Sequence, residues 1–335
     1  MKVAAIFGTQ QGGLRDKSDP KAKGDIVVVK ILAAPMCTEF HGFKDGDQSD
    51  CLGHEAVGEV VEVDRSSRVK VGDRVIVQPQ NGCGRCYLCQ AGDHIHCRNQ
   101  RDVCAETGSE AGTATMAQYL LKPDYLLTPI SNEMSYDHAA MACCGFGPTF
   151  GSVELLNIDA FDTVLITGLG PVGLGGVINA RYRGARVIGV ESHPYRVKLA
   201  KELGASDVVN PQDSDAMEQI LALTGGIGAD KSIETSGTVP AKTFLMEATR
   251  RKGRIAFVGW GGAVEVSAII SKGLTLSGVW HYNINSVPRL LKTIAANGDA
   301  IDKLLTHRMP MSSVQEAWEV QVKGECGKII LHPWE

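Results

Sequence analysis

Four cysteines stand close together in the first third of this 335-residue chain, at Cys83, Cys86, Cys89 and Cys97. The spacing Cys-x2-Cys-x2-Cys-x7-Cys can place four thiolates around one Zn²⁺ ion in a closed tetrahedral shell. Such a shell leaves no position for a substrate, so the predicted role is structural, with metal binding stabilising a loop that has little core of its own. An iron–sulfur cluster and a set of buried free thiols are the alternatives.

A glycine motif occupies the middle of the chain and reads Gly168-Leu169-Gly170-Pro171-Val172-Gly173. It follows a short apolar run and opens a helical stretch, the context in which G-x-G-x-x-G binds dinucleotides. Gly168 would permit the tight turn, Gly170 the approach of a pyrophosphate, and Gly173 close packing of helix on strand. The first helical turn, starting at Pro171 and Val172, would offer N–H groups and partial positive charge to the phosphates.

A carboxylate, Glu191, ends the next predicted strand about 20 residues after the glycines, where it can bind the ribose hydroxyls of the adenosine. It would also repel a 2′-phosphate, so NAD is favoured over NADP. Arg196 lies close enough to accommodate a phosphate and keeps NADP open. The alternative is a structural glycine turn followed by a solvated glutamate.

The elements that must position these motifs are of two kinds. The first half of the chain is rich in Gly, Pro and short β-prone runs, which predicts a compact, mostly β domain with long loops. The character of the sequence changes near residue 147, and from Asp162 apolar strands alternate with helical stretches, which predicts a parallel, doubly wound α/β sheet. The tail from about Val287 is predicted to form a helix pair and a last strand.

Composition narrows the functional classes. A net charge of −4 and a pI near 6.2 give no reason to expect nucleic-acid or membrane binding. Neither a signal peptide nor an apolar run of roughly 20 residues is visible, so a cytoplasmic location is expected. In a reducing compartment, the clustered cysteines among the ten in the chain are interpreted first as metal ligands.

Taken together, these motifs resemble the zinc-containing medium-chain dehydrogenase/reductase family. The resemblance also includes Gly53-His54-Glu55-x2-Gly58 and a closing Gly327-Lys328-Ile329-Ile330-Leu331. It implies a GroES-like β domain over residues 1–146 and 286–335, completed by the C-terminal tail, and a Rossmann NAD-binding domain over residues 147–285. It also implies an active site in the cleft between them, and a homodimer or homotetramer.

The same resemblance implies a catalytic zinc held by a cysteine, by His54 and by a later cysteine, which is Cys144. The first ligand departs from the family pattern. An ungapped match places Met36 at that position, whereas a one-residue deletion places Cys37 there, and Cys51 is a third candidate. Because thiolate binds Zn²⁺ far better than thioether does, Cys37 is favoured.

Further roles follow from the resemblance. Glu55 matches a glutamate that can approach the metal, and Glu39 is expected to be a partner of a ligand. Thr38 matches the hydroxyl that receives the alcohol proton, and His41 matches a histidine that passes a proton toward solvent. The alternative for His41 is an exposed polar residue without a role.

The predicted function is hydride transfer between NAD and a secondary alcohol, polyol or sugar, with simple primary alcohols and threonine left open. Trp280-His281-Tyr282 occupies the place of a pocket-lining stretch in polyol dehydrogenases, although the family's arginine is absent. Domain packing is the other explanation for these aromatic residues. The alternative functions are a catalytically silent NAD-binding protein and a zinc-independent reductase of the same superfamily.

Overall fold

A computed structural model describes residues 1–335. The strands are β1 (Lys2–Gly8), β2 (Gln11–Asp16), β3 (Ile26–Pro35), β4 (Ala56–Glu62), β5 (Arg74–Val77), β6 (Tyr119–Pro123), β7 (Leu127–Pro129), β8 (Thr163–Thr167), β9 (Arg186–Val190), β10 (Asp207–Val209), β11 (Ala229–Glu234), β12 (Thr249–Phe257), β13 (Thr275–Gly278), β14 (Leu305–Pro310) and β15 (Lys328–His332).

The helices are α1 (Phe40–Asp45), α2 (Tyr87–Gln90), α3 (Val103–Thr107), α4 (Tyr136–Ala140), α5 (Gly147–Leu156), α6 (Pro171–Tyr182), α7 (Pro194–Glu202), α8 (Ala216–Leu223), α9 (Val239–Ala248), α10 (Val266–Lys272), α11 (Val287–Ala296), α12 (Gly298–Leu304) and α13 (Val314–Lys323). None of them combines the length and the apolar character that a bilayer-spanning helix needs.

The first large sheet is built around β3, a ten-residue, largely apolar strand. Its strand order is β14-β15-β3-β4-β5-β7, and β6 also pairs with β3, along the edge opposite β4. The last strand, β15, pairs antiparallel with β3 so that Ile330 lies opposite Pro35. The C-terminal tail therefore completes the N-terminal β domain, as predicted.

The second sheet has six parallel strands in the order β10-β9-β8-β11-β12-β13. Numbered from β8, this is the order 3-2-1-4-5-6 of the dinucleotide-binding Rossmann fold, and the predicted α/β class is confirmed. Strand order reverses between β8 and β11. Ligands of such sheets bind beyond the carboxyl ends of the strands at this reversal.

The tail differs from the prediction of a helix pair and one strand. It contains three helices, α11 to α13, and two strands, β14 and β15. Strand β14 escaped detection because it lacks a regular apolar pattern, with Thr306 and His307 half-buried and Arg308 exposed at its centre. It forms because it pairs in parallel with β15. Helix α13 buries Trp318 against Phe43, with ring centroids 5.2 Å apart.

The proposed division into residues 1–146 with 286–335 and residues 147–285 remains a prediction. Strand membership supports it. The first sheet contains β3–β7 and β14–β15, the second contains β8–β13, and β1 and β2 form a separate antiparallel pair.

Candidate functional site

Four potential metal ligands from distant parts of the chain meet in one group, which we call the cleft group. It consists of Cys37, His54, Glu55 and Cys144, whose ligand atoms all lie within 4.8 Å of one another. Cys37 follows the end of β3, His54 and Glu55 precede β4, and Cys144 lies between α4 and α5. The GroES-like sheet therefore supplies three of the four side chains from neighbouring strand ends.

The spacing within the cleft group fits a tetrahedral zinc ion. His54 Nε2 and Cys144 Sγ are 3.3 Å apart. Standard Zn–S and Zn–N bond lengths at a tetrahedral angle give about 3.6 Å for this separation. Two sulfurs and an imidazole are also the donor types that zinc prefers, so the residues present fit the ion.

Glu39 orients two members of the cleft group. Its Oε1 lies 2.9 Å from His54 Nδ1, and its Oε2 accepts the Cys37 backbone N–H at 2.9 Å. The first contact leaves His54 Nε2 to face Cys144. A carboxylate on the far nitrogen of a ligating histidine is the usual arrangement around bound zinc. This is the ligand-partner position expected for Glu39.

The two sulfurs of the cleft group have opposite titration behaviour. Hydrogen bonding between Cys37 and Cys144 lowers the pKa of the Cys37 thiol well below its usual range and raises the pKa of the Cys144 thiol. Lys328 also lowers the pKa of Cys37. Cys37 is thus the better prepared of the two to act as a thiolate, which is the form that binds a metal.

Lys328 was not recognised from the sequence as a site residue, yet it lies directly behind the cleft group. Its Nζ is 2.6 Å from Glu55 Oε1, and both side chains are inaccessible to solvent. Glu55 Oε2 accepts the Cys144 backbone N–H at 2.9 Å. Burial raises the pKa of Glu55 to about 7, although the Lys328 cation opposes this. The sequence signal for a buried lysine was its position directly before the apolar residues Ile329, Ile330 and Leu331.

Met36 and Cys51, the other two candidates for the first ligand of the catalytic zinc, lie outside the cleft group. Met36 is fully buried in the core of the β domain. Cys51 is exposed, and its Sγ lies 3.0 Å from Thr113 Oγ1. Thr38 and His41 are exposed next to Cys37, and the His41 N–H donates to the Thr38 carbonyl at 3.0 Å. The ligand and proton-transfer roles of all these residues remain predictions.

The four cysteines Cys83, Cys86, Cys89 and Cys97 form a second group, again with sulfurs within 4.8 Å of one another. Cys86 Sγ and Cys97 Sγ are 3.8 Å apart, and a tetrahedral Zn–S₄ site requires about 3.8 Å. Backbone N–H groups of Arg85 and Cys86 lower the pKa of Cys83 to about 6. This group fits a zinc ion without a free coordination position.

The glycine loop joins β8 to α6 at the reversal point of the Rossmann sheet. Gly168 has φ +81°, and a Cβ there would lie 2.7 Å from Ser236. A Cβ on Gly173 would lie 2.1 Å from the Gly168 carbonyl oxygen, whereas one on Gly170 would meet nothing within 4 Å. Open space at Gly170 leaves room for a pyrophosphate beside the α6 N-terminus, where Pro171 occupies the first helical position.

Glu191 lies at the carboxyl end of β9 and folds back onto the glycine loop. Its Oε2 accepts the Leu169 N–H, and its Oε1 accepts the N–H groups of Ser192 and His193, all at 2.9 Å. Oε2, which accepts only one N–H, has further acceptor capacity for a ribose hydroxyl. Arg196 Nη1 is 3.9 Å from Glu191 Oε2, so both candidate residues for cofactor recognition are adjacent.

His281 and Tyr282 reach the neighbourhood of the cleft group. A Cβ on Gly147, three residues after Cys144, would lie 2.6 Å from His281 Cε1. Both ring nitrogens of His281 are buried without a hydrogen-bond partner. The Tyr282 hydroxyl donates to Gln78 Oε1 at 3.0 Å. Gln78 is a buried partner of Tyr282 that sequence reasoning missed.

Comparison with known proteins agrees with this architecture. The families described as "Alcohol dehydrogenase GroES-like domain" and "Zinc-binding dehydrogenase" match residues 23–132 and 171–296. The chain is 29% identical to sorbitol dehydrogenase of Bacillus subtilis, covering 99% of this chain and 97% of that protein. It is 31% identical to L-threonine 3-dehydrogenase of Symbiobacterium thermophilum, covering 92% and 90%.

Among solved structures, an alcohol dehydrogenase from Thermus sp. ATN1 superposes with a TM-score of 0.89 at 20% identity, covering 99% of each chain. The fold and these relatives define the protein as an oxidoreductase of the dehydrogenase class. It belongs to the zinc-containing medium-chain dehydrogenase/reductase family.

Proposed function

We propose that the protein catalyses zinc-dependent hydride transfer between NAD and the hydroxyl of a secondary alcohol, polyol or sugar, giving a ketone or aldehyde. The observation that supports this most is the meeting of Cys37, His54 and Cys144, with Glu55 beside them. Three strong ligands leave one coordination position open, which is the property of catalytic rather than structural zinc sites.

Cys37, His54 and Cys144 would hold the catalytic zinc, and Cys83, Cys86, Cys89 and Cys97 a structural one. When bound, the catalytic zinc supplies Lewis-acid polarisation of the substrate oxygen, and NAD supplies the hydride acceptor. Glu39 fixes the ring of His54, and the Glu55–Lys328 pair fixes the Cys144 backbone.

Thr38 and His41 would carry the proton of the alcohol to solvent. Both are exposed and lie at the start of α1, directly after Cys37. The Thr38 hydroxyl can accept a proton while donating its own, and the two ring nitrogens of an exposed histidine can take up and release a proton.

NAD would bind with its pyrophosphate over Gly170 and its adenosine ribose at Glu191. The carboxylate at the end of β9 favours ribose hydroxyls over a 2′-phosphate. His281 and Tyr282 would contact substrate hydroxyls, which favours a polyol or sugar over a simple alcohol. We further propose a cytoplasmic homodimer or homotetramer, and the ten unpaired cysteines fit a reducing compartment.

Zinc content per chain, measured together with NAD reduction, tests the proposal. Wild type should contain two zinc ions and reduce NAD with secondary alcohols or polyols. Cys37→Ala should contain one and lose activity, whereas the matched control Cys51→Ala should keep both. Loss of zinc in Cys51→Ala but not in Cys37→Ala would show that Cys51, and not Cys37, is the first ligand of the catalytic zinc. One zinc and no turnover in wild type would favour a catalytically silent NAD-binding protein.

A further inference from the structure

The loop that carries the four cysteines, residues 82–97, is docked onto residues 280–285, which we call the His281 segment. Asn283 Nδ2 donates to the Ala91 carbonyl and to Asp93 Oδ1, both at 2.8 Å. The Ile284 N–H donates to the Gly92 carbonyl at 2.9 Å. Asn283 is thus the main side-chain link between two segments that lie about 190 residues apart in sequence.

Close approach at this contact depends on Gly92. Its φ is +91°, and a Cβ there would lie 2.3 Å from Asn283 Oδ1 and 2.6 Å from Asn285 Nδ2. The left-handed turn and the lack of a side chain together let the cysteine loop reach the Asn283 amide. The contact between the cysteine loop and Asn283 therefore requires both the hydrogen bonds and the left-handed backbone turn at Gly92.

A second contact joins the other end of the His281 segment to the same loop. The rings of His96 and Trp280 meet edge to face, with centroids 6.0 Å apart. Asn283 and Trp280 thus bracket His281 and Tyr282, and both are anchored on the cysteine loop. Neither His281 nor Tyr282 belongs to a helix or strand, so these flanking contacts add to the Tyr282–Gln78 hydrogen bond in fixing their orientation.

The position of His281 matters because its ring lies against Gly147, close to Cys144 of the cleft group. Its two ring nitrogens are buried and unpartnered. A neutral imidazole offers one donor and one acceptor nitrogen, and a substrate hydroxyl can pair with either because it both donates and accepts. Burial lowers the pKa of His281 to about 3, so the ring is neutral at physiological pH.

The cysteine loop has little structure of its own. Its only α-helix, α2, is four residues long and has no buried side chain. Metal binding by the four cysteines would order the loop. Through the Asn283 contact, that order extends to His281 and Tyr282, which pack against Gly147.

We propose that Asn283 is a positioning residue through which the cysteine loop orients His281 and Tyr282 to recognise a second hydroxyl of a polyhydroxylated substrate. This inference rests on the proposed dehydrogenase function. The four-cysteine site then contributes to substrate specificity as well as to stability.

Asn283→Ala tests the inference, with sorbitol and 2-propanol as probes. We expect KM for sorbitol to rise roughly tenfold, a larger change than that for 2-propanol, while zinc content stays at the wild-type value. Asn297→Ala is the matched control, since that amide binds only the Thr293 carbonyl within α11. It should alter neither KM.

A readout without substrate is amide hydrogen exchange over residues 280–286. Exchange should be faster in Asn283→Ala than in wild type or Asn297→Ala. Asn283→Asp should also be faster, because it places a carboxylate against Asp93. Adding Asp93→Asn restores the hydrogen bond with the amide at position 93 and the carboxylate at position 283. The double variant should therefore exchange more slowly than Asn283→Asp, and its KM for sorbitol should be closer to the wild-type value.

The outcomes separate the two proposals. If wild type reduces NAD with no secondary alcohol, polyol or sugar, the proposed function and the substrate part of this inference fail together. If wild type is active, an unchanged ratio of the two KM values in Asn283→Ala overturns this inference alone. Unchanged exchange over residues 280–286 also overturns it, whatever the activity.

Discussion

Lys328 Nζ and Glu55 Oε1 form a 2.6 Å ion pair that is closed to solvent and lies directly behind the cleft group. The pair joins β15, the last strand, to the residue that follows His54. Glu55 in turn accepts the backbone N–H of Cys144. The C-terminal tail therefore does more than complete the first sheet, because it supplies the cation that balances a carboxylate between two predicted zinc ligands.

Lys328→Met should destabilise the protein by about 3–5 kcal/mol, since removing one partner leaves a buried charge uncompensated. The pKa of Glu55 should rise above its value of about 7. Urea unfolding measures the free energy, and Lys303→Met, at an exposed lysine, is the control. The double variant Lys328→Met/Glu55→Gln should recover part of the loss. Equal stability of Lys328→Met and the control would show that the pair contributes nothing.

Two glycines of the dinucleotide loop should respond differently to alanine. Gly170→Ala adds a Cβ that meets no protein atom, so the melting temperature should stay near the wild-type value. The dissociation constant for NAD should rise roughly tenfold or more, because the added methyl occupies the path of the pyrophosphate. Calorimetric titration with NAD measures this effect.

Gly173→Ala is the matched comparison. Its Cβ would lie 2.1 Å from the Gly168 carbonyl oxygen, so the helix must move and the melting temperature should fall. Tight NAD binding by Gly170→Ala would contradict the placement of the pyrophosphate over this residue.

The parts of the site that could be predicted from the sequence are those whose residues lie close together in the chain. The glycine loop and the four cysteines are contiguous motifs, so their spacing alone indicated their geometry. The choice between Met36 and Cys37 was harder, because a shift of one residue at the end of a strand exchanges the core-facing side for the opposite side. Only the register of β3 places Met36 in the core and Cys37 in the cleft group.

Residues brought in from distant strands and loops could not be assigned from sequence. Lys328 is 273 residues from Glu55, and Asn283 is 190 residues from Asp93. Lys328 did leave a signal, since a lysine beside Ile329, Ile330 and Leu331 must find a partner when its strand is buried. Asn283 left none, because asparagine is common in loops and its role depends on the shape of the opposing turn.

Glu191→Ala should shift cofactor preference. Loss of a charged hydrogen-bond acceptor costs about 1.5–3 kcal/mol, which corresponds to roughly 10- to 100-fold in the KM for NAD. Arg196, now 3.9 Å from the carboxylate, becomes free to pair with a 2′-phosphate, so the KM for NADP should fall. Steady-state kinetics with both cofactors measures the ratio. The control Glu202→Ala, on the exposed face of α7, should leave the ratio of the two KM values unchanged. If Glu191→Ala also leaves this ratio unchanged, Glu191 does not select the cofactor.

Lys122 should make stability depend on pH in the alkaline range. Its amine is buried in the β domain, where it donates to the Gln80 carbonyl, and burial lowers its pKa to about 7 from 10.5. Between these values the unfolded chain binds more protons than the folded one, so the free energy of unfolding should rise with pH. Below pH 7 both states are protonated, and the burial cost is fully present.

Lys122→Met should remove this dependence, and its stability relative to wild type should therefore be greater at pH 6 than at pH 10. Urea unfolding at both values measures the difference, with Lys70→Met, at an exposed lysine, as the control. Lys70→Met should follow the wild-type profile. If Lys122→Met also follows it, the Lys122 amine does not change its protonation on folding, and the cost of its burial is balanced within the β domain.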